Sequence, residues 1–342
     1  MLFWITQLIL TVIVGVAILA VTGSTQIQGA AMGWSLAGVM GGTLIVALGV
    51  AFACSTLSRH KMFPLAPVRL LHLGALVAMI LPAAITAGTF SSLADGVWQK
   101  LVVEFPVLGG MDSVNTMEQV SNIATNVPFP VMLLCMAVIP AITEEIVFRG
   151  LIGRGLVARR GLVSGIIMTS ILFAIAHMHP VHAAGVLPLG IIMHVLYVTT
   201  RSMWAPMLYH FCNNAYSTAL AYMLAKSGQL SEAAGAAESS DGPPWWIAVV
   251  GLATLGAWCF LLFESRTRLI TADGSEWDPG YESTDTPRHE DTRPVYARVP
   301  VMPLMTAIFC TMLFFGALVV AAAQQMAEQA TDPATALILL FC

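Results

Sequence analysis

Charge is what this sequence has least of. Asp, Glu, Lys and Arg together make up 10% of its 342 residues, where a soluble domain carries about 25%. With 57% apolar residues and a mean hydropathy of +0.80, that scarcity argues against a soluble enzyme and points to a polytopic membrane protein. Six cysteines, at 54, 135, 212, 259, 310 and 342, occur without any CxxC spacing. They indicate neither a disulfide framework nor a thiolate metal site and read as small apolar packing residues. The apolar run over Met1–Val21 has no Lys or Arg ahead of it. It therefore lacks the basic region of a secretory signal and reads as a first membrane helix. There is no HExxH, so a zincin-type site is not indicated. An internal repeat is also missing, which argues against a transporter with charges along a pathway. The net charge of −4 says little, and no nucleic-acid partner is expected.

What is present is a series of apolar windows near 20 residues long, over 2–22, 33–57, 68–90, 130–153, 162–178, 183–200, 204–225, 245–263 and 303–323. These predict an all-α transmembrane helix bundle of eight or nine spans, the fifth and sixth being short. The basic residues alternate between loops. Arg59, Lys61 and Arg69 lie in the second, Arg154, Arg159 and Arg160 in the fourth, Arg201 in the sixth, and Arg266, Arg268, Arg288, Arg293 and Arg298 in the eighth. The opposite loops hold only Lys100 and Lys226. By the positive-inside rule this predicts a multi-pass protein with a cytoplasmic N-terminus, in the plasma membrane.

Three regions follow. Residues 1–126 hold the first helices and a weak interfacial helix around Val97–Phe105. Residues 127–225 form a helical core. Residues 226–342 hold two further spans joined by a polar stretch over about 264–300, rich in Asp, Glu, Arg, Pro and Ser, which reads as a flexible cytoplasmic linker.

The core carries ionisable groups at membrane depth. Each costs roughly 2.5–3.5 kcal/mol on the insertion scale and calls for an explanation. Glu145 and Arg149 are spaced i,i+4 with the acid first, the favourable order for an ion pair. Glu144 sits about 100° round the helix and is left free. Glu144 is 16 residues before Arg160 and His177 is 17 after it. In a helical hairpin that turns there, both lie roughly 24 Å from the turn and can face each other. Phe173 shares the face of His177. His210 and Asn214 stack i,i+4 on the seventh span, His210 roughly 13 Å in. His179 and His182 read as exposed loop residues, His194 as an intramembrane histidine in a supporting role or none, and Asn213 as structural.

A carboxylate, two imidazoles and an amide at one depth suit peptide hydrolysis without a Ser or Cys nucleophile. A Glu beside a His can take a proton from water and return it to a leaving amine. A second His and an Asn can donate to an oxyanion. Two His and a Glu are also a known zinc set, so a divalent metal such as zinc on Glu144, His177 and His210 stays open.

In these residues the chain resembles the CAAX protease and bacteriocin-processing family of intramembrane endopeptidases. The family's EExxxR, FxxxH and HxxxN motifs read here as Glu144-Glu145-Ile146-Val147-Phe148-Arg149, Phe173-Ala174-Ile175-Ala176-His177 and His210-Phe211-Cys212-Asn213-Asn214. The resemblance covers roughly Val127–Ala225. It implies that Glu144, assisted by His177, activates water, that His210 and Asn214 stabilise the oxyanion, and that Glu145 and Arg149 are structural. It implies membrane lipid and a peptide or membrane-protein substrate as partners, a prenylated one among them. A metal-free mechanism is favoured, because Asn is a poor zinc ligand and a good oxyanion donor. The alternative is a non-catalytic membrane scaffold or immunity protein that keeps the same constellation.

Overall fold

The computed structural model describes residues 67–109, 126–227, 244–277 and 292–329, with scattered positions between 38 and 49 and at 123–124. The first two predicted spans, 2–22 and 33–57, lie outside the described residues or almost so. The described chain is a bundle of seven apolar or mixed helices, six of them long, with one short β-ribbon.

Helix α1 covers Leu70–Glu104. Its 35 residues reach about 52 Å, well beyond the roughly 30 Å of hydrocarbon. The separate interfacial helix expected around Val97–Phe105 is therefore the end of α1, up to Glu104. Nothing between Thr89 and Val97 breaks it, and Trp98 is buried and anchors the far turns edge-on against His179. Helix α2 runs over Phe129–Arg160 and contains two π-helical stretches, Leu134–Val138 and Ile146–Gly153. Gly161 reverses the chain at φ 82°, and α3 returns over Leu162–Ile175. Gly165 packs so closely on the end of α2 that a Cβ there would sit 2.6 Å from the Val157 backbone.

Helices α4, Pro180–Thr200, and α5, Trp204–Ser227, complete the core. Arg201, in the left-handed conformation at φ 52°, makes the corner between them. Helix α6 covers Trp245–Glu264 and α7 Val301–Gln329. Among the described residues α1, α2, α4, α6 and α7 are long and apolar enough to cross a membrane. Helix α5 has the length, but His210, Asn213 and Asn214 lower its apolarity, and α3 is short. This is a multi-pass integral membrane protein.

The polar stretch after α6 is more ordered at its ends than a flexible linker. Strands β1, Thr267–Ile270, and β2, Arg293–Tyr296, pair antiparallel with Thr267 opposite Tyr296. Leu269 and Trp277 are buried under the ribbon and give it a small core. The Arg69 guanidinium donates to the carbonyls of Ser265 and Ala297 and lies over the Tyr296 ring. Arg201 lies 3.8 Å from Glu276. The ribbon thus closes the end of the bundle where α1 begins and α4 and α6 finish.

Candidate active site

The site grows from the middle of α2. Glu145 and Arg149 are both fully buried and form an ion pair, Nη1 to Oε1, at 2.8 Å. The second arm of the guanidinium donates to the Gly190 carbonyl of α4 at 2.9 Å. Its plane lies over the Phe173 ring, 4.6 Å from the centroid, a cation–π contact in a desolvated setting. Phe173 also meets Phe148 edge-on at 5.2 Å, the His177 ring at 4.9 Å and the His210 ring at 6.0 Å. One phenyl ring thus spaces the cation from both imidazoles.

His210, on α5, lies between the two carboxylates. Its Nδ1 is 2.9 Å from Glu145 Oε1, and its Nε2 is 3.9 Å from Glu144 Oε2. Glu145 accepts from Nδ1–H, so the ring is oriented by the sealed carboxylate and presents Nε2 to the other one. Glu144 is 15% exposed against 0% for Glu145, so only Glu144 is open to a small reactant. At 3.9 Å one water can hydrogen-bond both Glu144 and His210.

His177 donates from Nδ1 to the Phe173 carbonyl at 2.8 Å, because a carbonyl can only accept. In the neutral ring Nε2 then keeps its lone pair. Among the described residues no hydrogen bond or ion pair joins Glu144 to His177. The turn after α3 places Met178 at φ 62° and folds the chain back, so the exposed His182 lies 5.0 Å from the His177 ring, centroid to centroid.

Asn214 donates from Nδ2 to the Met136 carbonyl at 3.1 Å. In an α-helix that carbonyl would accept from residue 140. Pro140 has no N–H, and the adjoining backbone is π-helical. The amide of Asn214 donates to that carbonyl and ties α5 to α2, and its own oxygen accepts from Asn213 at 3.4 Å.

Sequence spacing did not foresee that both carboxylates share one imidazole, nor that His182 borders His177. A hint lay in the HPVH run, where Pro180 starts a helix and turns His182 back toward the chain before it. Among the described residues no three His, Cys, Asp or Glu side chains come close enough together to hold a metal ion. Glu144, His177 and His210 as placed do not fit one.

The family described as "Type II CAAX prenyl endopeptidase Rce1-like" matches residues 126–216. A Bacillus subtilis (strain 168) protein named "Putative membrane peptidase YdiL" is 27% identical over 115 residues, 33% of this chain and 46% of the relative. The match thus spans about half the length of that relative. No solved structure matches. The matched segment contains the glutamate pair, the Phe173–His177 step and the His210–Asn214 step together. Through it the chain is similar to the Rce1-like CAAX prenyl endopeptidase family over its helical core.

Proposed function

We propose that this protein is an intramembrane endopeptidase that hydrolyses a peptide bond with water activated by Glu144. The observation that carries the reading is the single imidazole of His210 set between a sealed carboxylate and an open one.

Glu144 accepts a proton from a water whose other hydrogen points to Nε2 of His177. The water oxygen bonds to the scissile carbonyl carbon, and the carbonyl electron pair moves onto its oxygen. His210, protonated on both nitrogens and backed by Glu145, donates from Nε2 to that oxyanion. The amide of Asn214 has a second hydrogen beyond the one given to Met136 and adds a donor. As the intermediate collapses the C–N bond breaks, and the proton held by Glu144 passes to the leaving amine. The hydroxyl of water ends on the acyl half and its proton on the amine half.

The substrate is a peptide or membrane protein reached from the bilayer, with a prenylated chain end as one candidate. The family's printed description supports that candidate. The basic loops are assigned to the cytoplasm and the membrane to the cell's plasma membrane on the positive-inside rule.

Glu144→Gln keeps size and hydrogen bonding but removes the base. In liposomes it is expected to lower peptide cleavage by about 10²-fold or more. Cleavage persisting at the wild-type rate would sink the assignment. Chelators are expected to leave the rate intact, and stoichiometric zinc in the purified protein would overturn the metal-free step. Paired prenylated and unprenylated peptides decide the substrate class.

A further inference from the structure

The ion pair at the centre of α2 is incompletely satisfied by protein. Glu145 Oε2 and Arg149 Nε are buried with no hydrogen-bond partner among the described residues. So are both ring nitrogens of His194, a side chain with 0% exposure. Native proteins leave few such atoms unpaired, and each costs about 1–3 kcal/mol if nothing meets it. Three of them, Arg149 Nε and the two His194 nitrogens, lie on side chains that helix packing brings near one another, and Glu145 Oε2 belongs to the same ion pair as Arg149.

The register of α4 on α2 puts them there. Arg149 is bonded to the Gly190 carbonyl, and His194 is one turn further along α4. One turn further along α2 from Arg149 is Gly153, where a Cβ would stand 2.5 Å from Cε1 of His194 and 3.1 Å from Cγ2 of Thr169. The two helices run side by side through these pairs. The missing side chain at Gly153 makes the room the imidazole occupies, and Arg149 is near enough to act on His194 electrostatically. A dry arrangement of this kind would be built from apolar residues. This one is built from an acceptor, a donor and a ring that can be either.

We propose that His194, Arg149 and Glu145 line a buried water site behind the catalytic face. Through that water His194 is a positioning residue for the chain Arg149–Glu145–His210. The ligand is water, one or two molecules, since a buried water makes about three hydrogen bonds and the unmet atoms supply that number. Water-mediated bonds are nearly as strong as direct ones. The water therefore fixes the tilt of the guanidinium, the guanidinium holds Glu145, and Glu145 orients His210. The positioning role rests on the endopeptidase reading; the water site does not.

Two arms test it. In protein labelled with ¹⁵N-histidine and reconstituted in lipid, the His194 ring signal is identified by its loss in His194→Leu. Magnetisation is expected to reach that ring from water at short mixing times, despite its burial, with exposed His182 as the positive control. In the kinetic arm His194→Leu is expected to lower kcat about ten-fold with KM within about two-fold, the scale of a small misplacement of reacting groups. His194→Gln, which keeps a donor and an acceptor, restores kcat to within about three-fold of wild type. A ring that receives nothing from water overturns the proposal, and so does a Leu variant that turns over like wild type. If His194→Leu does not fold, the loss of the ring signal in His194→Gln assigns it instead, and the wild-type ring spectrum still decides. A wild-type protein that cleaves no peptide sinks the endopeptidase reading alone, and the spectroscopic arm then judges the water site.

Discussion

Arg149 ties three separate parts of the site together. Fully buried, it holds a carboxylate, a main-chain carbonyl on another helix and an aromatic face. Only a planar fork can serve all three. Arg149→Ala strands a buried carboxylate and an unmet Gly190 carbonyl, and is expected to cost about 3–5 kcal/mol. Arg149→Lys keeps the charge but can meet one acceptor well, and is expected to cost about 1–3 kcal/mol. Denaturant titration in bicelles reads both; equal losses for the two variants would show that charge matters and the fork does not. The i,i+4 spacing of Glu145 and Arg149 was legible, because helix geometry alone brings those positions together. The grip on Gly190 was not, because it depends on how α4 packs. The spacing also sets Glu144 apart from Glu145 round the helix, yet both reach His210. An imidazole has nitrogens on two edges of one ring, so it bridges groups that point in different directions.

Among the elements, the α2–α3 hairpin fixes the depth of Glu144 and His177, and two glycines make it possible. Gly161 holds φ 82° and ψ 168°, a conformation that costs an L side chain about 1–3 kcal/mol. Gly161→Ala should lose that much although open space surrounds it. At Gly165 the obstacle is backbone 2.6 Å away, which cannot swing aside. Gly165→Ala should cost about 1–3 kcal/mol by overpacking, and should also lower cleavage, because prying α3 from α2 moves His177. Loss of stability without loss of turnover would separate the hairpin from the site. Counting residues from Arg160 foresaw the hairpin, since equal arms need only a turn. It could not foresee the π-helical stretches, because a wider turn leaves no mark in a residue count; the first of them adjoins Pro140, which has no N–H to give. The ribbon after α6 was hidden for another reason. Its strands are four residues each, they lie far apart in sequence, and polar composition outweighs the single buried Leu269 and Trp277.

That ribbon also carries a titrating turn. Asp273 accepts hydrogen bonds from the Thr271 hydroxyl and from the Ser275 main-chain N–H and hydroxyl. These hold its carboxyl down to about 2, below the roughly 3.9 of an unfolded Asp. A depressed folded value means the turn's contribution is whole above about pH 4 and fades as pH falls toward 2. Protection against hydrogen exchange at Gly274 and Ser275, taken relative to an unstructured amide at the same pH, is expected to fall over that window in wild type. In Asp273→Ala it should be low throughout; a flat wild-type profile would show that the carboxylate does not hold the turn.

For the whole molecule the question is which end faces the cytoplasm. Arg69 at the start of α1, Arg201 after α4 and the ribbon after α6 meet at one end of the bundle. Arg159 and Arg160 close α2, which runs alongside α4 through the Arg149–Gly190 and Gly153–His194 pairs, so they lie toward the same end. Basic loops far apart in sequence are thus gathered on one side, as alternation along the chain requires, and on the positive-inside rule we propose that this side is cytoplasmic. On that orientation and on the proposed function, Glu144, His177 and His210 lie below the inner surface and a substrate presents its scissile bond from there. A single cysteine placed at Ser275 in a background with all six native cysteines replaced is expected to react with an impermeant maleimide in inverted vesicles and not in intact cells. Labelling from outside would turn the molecule over, put the ribbon outside, and move the substrate to the opposite face of the membrane while leaving every contact within the bundle unchanged.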